Sequence, residues 1–410
     1  MDILQRANEI QTKEGRKVLH CEVGQPGTGA PKKVVEEAIK ALSTNEEKRD
    51  VLGYTDAFGL ITLREKIAQH YKQKYDNTDI LKERLDVENI IVTTGSSGGF
   101  LLVFNGCFDV GDVIAVASSG YPCYRNISQA LGIEIMSIKV NEEFKLTSKE
   151  LLQEVERRNT LNEKKIKGLI LSSPSNPTGA MLTPSELQEL CEVCDEHGVQ
   201  FISDEIYHGI SYGKEEATAL SYSKNTIVIN SFSKYYSMSG WRLGWMIVPS
   251  ELKDVMNKLQ QNMFISAPTI SQRAALKCWD DDTLQELDNI VNHQYKVCRD
   301  YILQKLQHMK ELPSHNIAPA DGGFYIYIDL GDNVILSKRL DAVALCTLLL
   351  ENEGVAFTPG IDFEDPEFSL GYRRLRISYA AGYDVVREAM ERFYKFWYGV
   401  WLPMIQNGRE

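Results

Sequence analysis

Six near-continuous apolar runs, rich in β-branched residues, recur between Glu88 and Pro249. They are ENIIVTTG (Glu88 to Gly95), DVIAVAS (Asp112 to Ser118), IKGLILSSP (Ile166 to Pro174), VQFISDE (Val199 to Glu205), TIVINSFS (Thr226 to Ser233) and LGWMIVP (Leu243 to Pro249). Runs that lack a polar face suit strands buried on both sides. Helical stretches separate several of them. The clearest spans Pro184 to His197: Thr183 is placed as N-cap, Pro184 in the first turn, Glu186 to complete a capping box, and Gly198 to stop the helix. Strand and helix in alternation predict an α/β sheet with helices on both faces. Ligands of such sheets bind beyond the carboxyl ends of the strands.

After about residue 280 the pattern changes. A polar helix from roughly Asp281 to Lys310 leads into GGFYIYIDL (Gly322 to Leu330), a helix near Asp341 to Glu353, the strand RRLRISYA (Arg373 to Ala380) and a last helix from Tyr383. This reads as a smaller α+β domain, against which the first ~45 residues pack. The division is a large domain at 46–280 and a small one made of 1–45 and 281–410. The aromatic tail FYKFWYGVWLP (Phe393 to Pro403) reads as the end of a packed helix.

Charge narrows the partners. A formal net charge of -12 repels phosphate backbones, so nucleic acid is not an expected partner. No apolar run approaches the ~20 residues of a membrane span, and the N-terminal residues lack a signal peptide's apolar segment. Eight scattered cysteines without an export signal fit free thiols in a reducing, cytoplasmic compartment. Cys191, Cys194 and His197 share one helical spacing, but no second cysteine pair appears, so packing is expected there and no metal.

The stretch INSFSKYYSMSGWRLGWMIV (Ile229 to Val248) sets Lys234 among Ser231, Ser233 and Ser237, with Arg242 eight residues on. Serines and an arginine suit a phosphate, and a lysine beside a bound ring can form a Schiff base with an aldehyde. Pyridoxal 5'-phosphate carries ring, aldehyde and phosphate together. Its protonated ring nitrogen needs a sheltered carboxylate, which Asp204 supplies at the end of an apolar strand. Tyr207 and Asn176, the latter in an Asn-Pro-Thr-Gly turn, can reach the ring's phenolic oxygen. The Gly95–Gly99 turn opens an apolar helix whose first N–H groups suit an anion, and Tyr121 ends the next strand, where it can stack.

In this order, S-x-S-K followed by W-R, N-P-T-G and D-E-I-Y resemble the class I/II aminotransferases of the aspartate aminotransferase superfamily, fold type I pyridoxal-phosphate enzymes. The resemblance runs from CEVGQP to RLRISYA. It implies a mostly parallel seven-stranded sheet between helices in the large domain. It implies that Lys234 forms the internal aldimine and shuttles a proton, and that Asp204 pairs with the pyridinium. Asn176 and Tyr207 would hold the phenolic oxygen, and Tyr121 would stack. Ser96, Ser97, Ser231, Ser233 and Arg242 would hold the phosphate. Arg376 matches the arginine that clamps the substrate carboxylate, and Gly24 a glycine whose backbone faces the substrate. Tyr54, in LGYTDAFG, matches a tyrosine that reaches the neighbouring subunit's phosphate, which implies a homodimer with shared sites.

The sequence departs from the family pattern at two points. Ser97 stands where some acidic-substrate members have lysine, and Gly98–Gly99–Phe100 replaces the more usual Gln or Glu with Ala. With no second arginine assigned to a side-chain carboxylate, the expected substrates are neutral L-amino acids, aliphatic or aromatic, with 2-oxo acids as acceptors and glutamate or alanine as partner. Rival readings are a carbon–sulfur β-lyase or an aminocyclopropane-carboxylate-synthase-like enzyme on the same scaffold, and a catalytically silent binding protein.

Overall fold

The computed structural model describes residues 2–43, 52–75, 78–331 and 340–407. The expected domain boundary at residues 45–46 lies outside them.

The six apolar runs all form strands of one seven-stranded sheet. In chain order these are β1 (Ile90–Thr93), β2 (Val113–Ala117), β3 (Glu134–Ile138), β4 (Ile166–Ser172), β5 (Gln200–Asp204), β6 (Ile227–Ser231) and β7 (Gly244–Ile247). Their order across the sheet is β1-β7-β6-β5-β4-β2-β3, and only β7 runs antiparallel to its neighbours. β3, which the apolar runs do not include, is one of the two edge strands, and Glu134 is exposed on it. Only Ile138 of β3 is buried, whereas all four residues of the other edge strand, β1, are, so β3 carries no continuous apolar run.

Successive residues feed opposite faces, as strand geometry requires. Ile90, Val92, Val228, Trp245 and Ile247 belong to one buried cluster, while Ile91, Ile227, Ile229 and Met246 belong to another. Helices cover both clusters. The helix Pro184–His197 begins with the expected Thr183/Glu186 capping box and ends at Gly198 in the left-handed region, φ 65°. Cys191 and Cys194 are buried in its core face, whereas His197 is exposed. Among the described residues no three His, Cys, Asp or Glu side chains converge as a metal site, and no helix is long and apolar enough to cross a membrane.

A third cluster holds the rest of the chain together. It unites Ile3, Ala7, Ile10 and Leu19 with Ile302, Tyr325, Leu349, Ile377, Phe393 and Trp401. Leu19–His20 pairs in parallel with Val355–Ala356, and a three-stranded antiparallel sheet has Arg374–Ser378 between Thr358–Pro359 and Tyr325–Asp329. The described residues 2–43 divide between the cores. Asp2–Lys13 joins this third cluster, but helix Lys32–Leu42 sends Val34 and Ala38 into a cluster of the large sheet. The expected long helix from Asp281 runs as Asp281–Ile290, a π-helical turn Val291–Tyr295, and Lys296–Gln307. The turn buries both Val291 and Tyr295. The aromatic tail packs as expected, with Phe393, Phe396, Trp397 and Trp401 fully buried.

Candidate active site

The register aligns the carboxyl ends of the central strands: Ser172 pairs with Asp204, and Asp204 with Ile229. The loops that follow open onto a cavity of about 930 Å³ between the large sheet and the smaller three-stranded sheet. Lys234, Asp204, Asn176 and Tyr207 all line it. So do Ser96, Ser97, Tyr121, Ser233 and Arg242, with Gly24 and Arg376 on the side of the smaller sheet. Residues as far apart as 24 and 376 meet here, so no local pattern could have produced the grouping by chance of spacing.

Lys234 Nζ donates to the Gly24 carbonyl at 2.5 Å and lies 6.0 Å from the Tyr207 and Phe324 ring centres. Burial, then the neighbouring Arg376, and also Arg242, pull its ammonium down to about 8, against an upward pull from Asp204. Gly24 has no room for a side chain, because a methyl there would overlap the Tyr325 hydroxyl. Asp204 is buried. Its carboxylate accepts from the Ile206 N–H at 3.1 Å and from the Tyr124 hydroxyl. Burial pushes it up to about 6, while those two donors and Lys234 favour the ionised form.

Arg376 is held on four sides. Its Nη1 donates to Asn176 Oδ1 at 2.9 Å and Nη2 to the Glu22 carbonyl. The Tyr325 and Phe363 rings sandwich the guanidinium at 4.4 and 4.5 Å. Its Nε is buried without a partner, a donor that a bound carboxylate can satisfy. Because Asn176 accepts through Oδ1, its amide N–H₂ group remains to donate into the cavity. Tyr207 and Tyr325 share a hydroxyl–hydroxyl bond of 2.7 Å, so either can pass a proton-donating O–H onward.

The helix Gly95–Cys107 points its N-terminus into the cavity through Ser96 and Ser97. Gly95 has φ +68°, and a methyl there would collide with the Arg242 guanidinium. Arg242 itself sits in the left-handed region at φ 52°, with Nη1 tied to the Ser239 carbonyl at 3.0 Å. A helix start, a fixed guanidinium and the Ser233 hydroxyl form an anion cradle.

Two expected residues do not line this cavity. Ser231 is buried, its Oγ bonded to Ser233 Oγ at 2.9 Å and to the Leu243 carbonyl at 3.1 Å. Tyr54 is 81% exposed and lines a separate cavity of about 380 Å³ with Arg64 and Arg273. Three residues at the site escaped the sequence reading: Tyr124, Tyr325 and Phe363. A third arginine, beside Arg242 and Arg376, also stands at the cavity wall. Arg125 donates to the Phe363 carbonyl at 2.9 Å and so ties the large sheet's side to the loop that covers Arg376.

A lysine with a lowered pKa, a buried carboxylate, an anion cradle and an arginine with an unsatisfied Nε together suit chemistry on a carboxylate beside an amine. The comparisons agree. A family model described as aminotransferase class I and II matches residues 16–393, and the chain belongs to that family. It is 38% identical over 98% of its length, and 95% of the relative's, to the valine–pyruvate aminotransferase of Mycobacterium tuberculosis. It is 36% identical to the (5-formylfuran-3-yl)methyl phosphate transaminase of Methanocaldococcus jannaschii, over 97% of this chain and 95% of the other. Among solved structures, an aminotransferase from Mycobacterium tuberculosis superposes with a TM-score of 0.86 at 38% identity, covering 98% of this chain and 96% of that one. The protein is an aminotransferase.

Proposed function

We propose that this aminotransferase uses pyridoxal 5'-phosphate and exchanges amino groups between neutral L-amino acids, aliphatic or aromatic, and 2-oxo acids, with glutamate or alanine as partner. The observation that carries the cofactor reading is half-buried Lys234 opening onto the same cavity as Asp204, Arg242 and Arg376. The donor set fits the group. The helix start at Ser96 and Ser97, with Ser233 and Arg242, suits its phosphate, aided by the cradle that only glycine at 95 leaves open. Asp204 suits its ring nitrogen, Asn176 and Tyr207 its phenolic oxygen, and half-exposed Tyr121 its ring face.

When bound, the cofactor supplies an aldehyde that takes up the amino group and a ring that accepts electrons. The protein's residues do the rest. Arg376 and Asn176 hold the substrate carboxylate and fix which bond faces Lys234. Lys234 Nζ removes the proton at the substrate Cα and can return it, a role its lowered pKa favours near neutral pH. Asp204 keeps a negative charge against the ring nitrogen. Phe363 lies over Arg376, and the bond from Arg125 to its carbonyl fixes that cover at the carboxylate end of the site.

The substrate class is supported by Ser97 in place of lysine and by apolar wall residues Ile3, Leu4 and Ile361. We further propose a homodimer with sites completed by Tyr54 of each partner, the two-domain division at about residue 280, and a cytoplasmic location. Eight unpaired cysteines, most of them buried, support the last.

Borohydride reduction of the holoenzyme, followed by peptide mapping, is expected to leave the pyridoxyl label on Lys234. A label on any other lysine overturns the reading. Arg376→Ala is expected to raise half-saturation for every amino acid, by a loss of about 2–5 kcal/mol for a sheltered charge pair, with the cofactor's absorbance unchanged. Steady-state kinetics across an amino-acid panel checks this, and unchanged half-saturation removes Arg376 from the substrate site.

A further inference from the structure

The helix start Gly98–Gly99–Phe100 departs from the family's usual residues, and the structure gives that departure a consequence. Neither glycine is compelled by packing. A methyl on Gly98 would find its nearest neighbour at 3.6 Å and one on Gly99 at 3.5 Å, both ordinary contacts. Phe100 is the residue with work to do. It is 1% exposed, and its ring meets Tyr124 at 5.1 Å between centres with a 62° tilt. Tyr121 meets the same ring at 5.7 Å and 86°. The Tyr124 ring is therefore fixed by two edge-to-face contacts, a preferred geometry for aromatic pairs. Its hydroxyl points at Asp204 Oδ2. A carboxylate only accepts, so the tyrosine donates.

We propose that Phe100 and Tyr124 are a positioning pair for Asp204: Phe100 holds the Tyr124 ring, and the Tyr124 hydroxyl aims the carboxylate and keeps it ionised. The proposal rests on the role assigned to Asp204 above. Burial alone favours the neutral acid, which cannot sustain a charged partner at the ring nitrogen. The opposing donors are few. They are Tyr124 on Oδ2 and the Ile206 N–H on Oδ1, with Lys234 acting as a nearby charge. Of the two hydrogen bonds, only the tyrosine's can be removed by changing a side chain. Tyr124 acts through Asp204 and is not itself a catalytic residue. Its own phenol stays protonated, because burial and the Asp204 charge push it far above its usual range.

The test uses holoenzyme reconstituted with ¹⁵N-labelled pyridoxal 5'-phosphate and reads the ring-nitrogen resonance, which reports where the proton sits. In Tyr124→Phe the resonance is expected to move from the native value toward that of unprotonated pyridine. In the same variant kcat is expected to fall about 10- to 100-fold, the loss of one hydrogen bond to a charged group, with KM for the amino acid changed less than about threefold. Phe100→Leu keeps the hydroxyl but frees the ring, so a smaller movement in the same direction is expected. Asp204→Asn is the reference. If it moves the resonance and Tyr124→Phe does not, the pair has no role and the reading of Asp204 stands. If Asp204→Asn also leaves it unmoved, the reading of Asp204 falls and the proposal falls with it. Should Tyr124→Phe fail to fold, Phe100→Leu decides, and an unmoved resonance there overturns the pair.

Discussion

Replacing Lys234 by alanine is expected to abolish turnover while the protein still folds and still binds the cofactor. The lysine is half-buried and its only described hydrogen bond is to the Gly24 carbonyl, so its loss leaves one acceptor unpaired and takes one supporting charge from Asp204, whose hydrogen bonds from Tyr124 and Ile206 remain. The donors for phosphate, ring nitrogen and phenolic oxygen come from other residues and remain. What disappears is, among the described residues, the only lysine that lines the cavity. General acid–base catalysis alone accounts for about 10²–10⁴-fold, and the covalent role of a lysine amine adds to it. Single-turnover kinetics with an amino acid, beside a cofactor-binding titration, measures both halves of the expectation. Retained turnover above about a hundredth of native would remove Lys234 from the chemistry. The lowered pKa supplies a second check. The neutral amine is the nucleophile, so capture of the cofactor by the stripped native chain should speed up as pH rises and level off above about 8. A rate that keeps climbing to the ordinary lysine range would mean that burial and Arg376 do not act on Lys234 as described.

The strand ends were legible because parallel strands buried on both faces must be apolar throughout, and because a lone polar residue at the end of such a run needs a reason. Asp204 after QFIS and Lys234 after INSFS stood out on that ground. Ser231 stood out equally, but a serine two residues before the lysine's own neighbour Ser233 also suffices to tie a tight turn, and that is where its hydroxyl goes. Composition cannot separate a hydroxyl that faces a ligand from one that faces its own backbone. Tyr124 was missed although it lies three residues after Tyr121. On a helix start those positions share a face, and the signal was there to be followed. Tyr325 and Phe363 carried no such signal. They reach the site from the smaller sheet and its following loop, so only tertiary structure brings them to Arg376. The same limit explains helix Lys32–Leu42, whose amphipathic pattern says that one face is buried but not against which core.

Tyr54 gives the prediction with the widest reach. Within one chain its side chain makes no described hydrogen bond and is 81% exposed, although its loop is firmly anchored. Thr269 donates to the Gly53 carbonyl at 2.7 Å, Gln272 reaches Thr55 at 3.1 Å, and Asp56 accepts from the Phe58 N–H at 2.9 Å. A large aromatic held out from a fixed loop fits a residue whose partner is another chain. If Tyr54 completes the phosphate site of its neighbour, Tyr54→Asp is expected to be inactive, because its carboxylate repels the phosphate. Lys234→Ala is inactive for a separate reason. In a mixed dimer with two-fold symmetry, one site lies on the Lys234→Ala chain and is completed by the Tyr54→Asp chain, so it carries both defects. The other combines an intact Lys234 with an intact Tyr54. Equal mixing and refolding should therefore restore about a quarter of the native number of working sites, from two preparations that have none. Turnover per chain after refolding measures it, with mass spectrometry to establish that chains have exchanged. If mixed dimers form and no activity returns, the sites are not shared through Tyr54, and its exposure needs another account. If each variant alone retains activity, the phosphate does not depend on this residue at all.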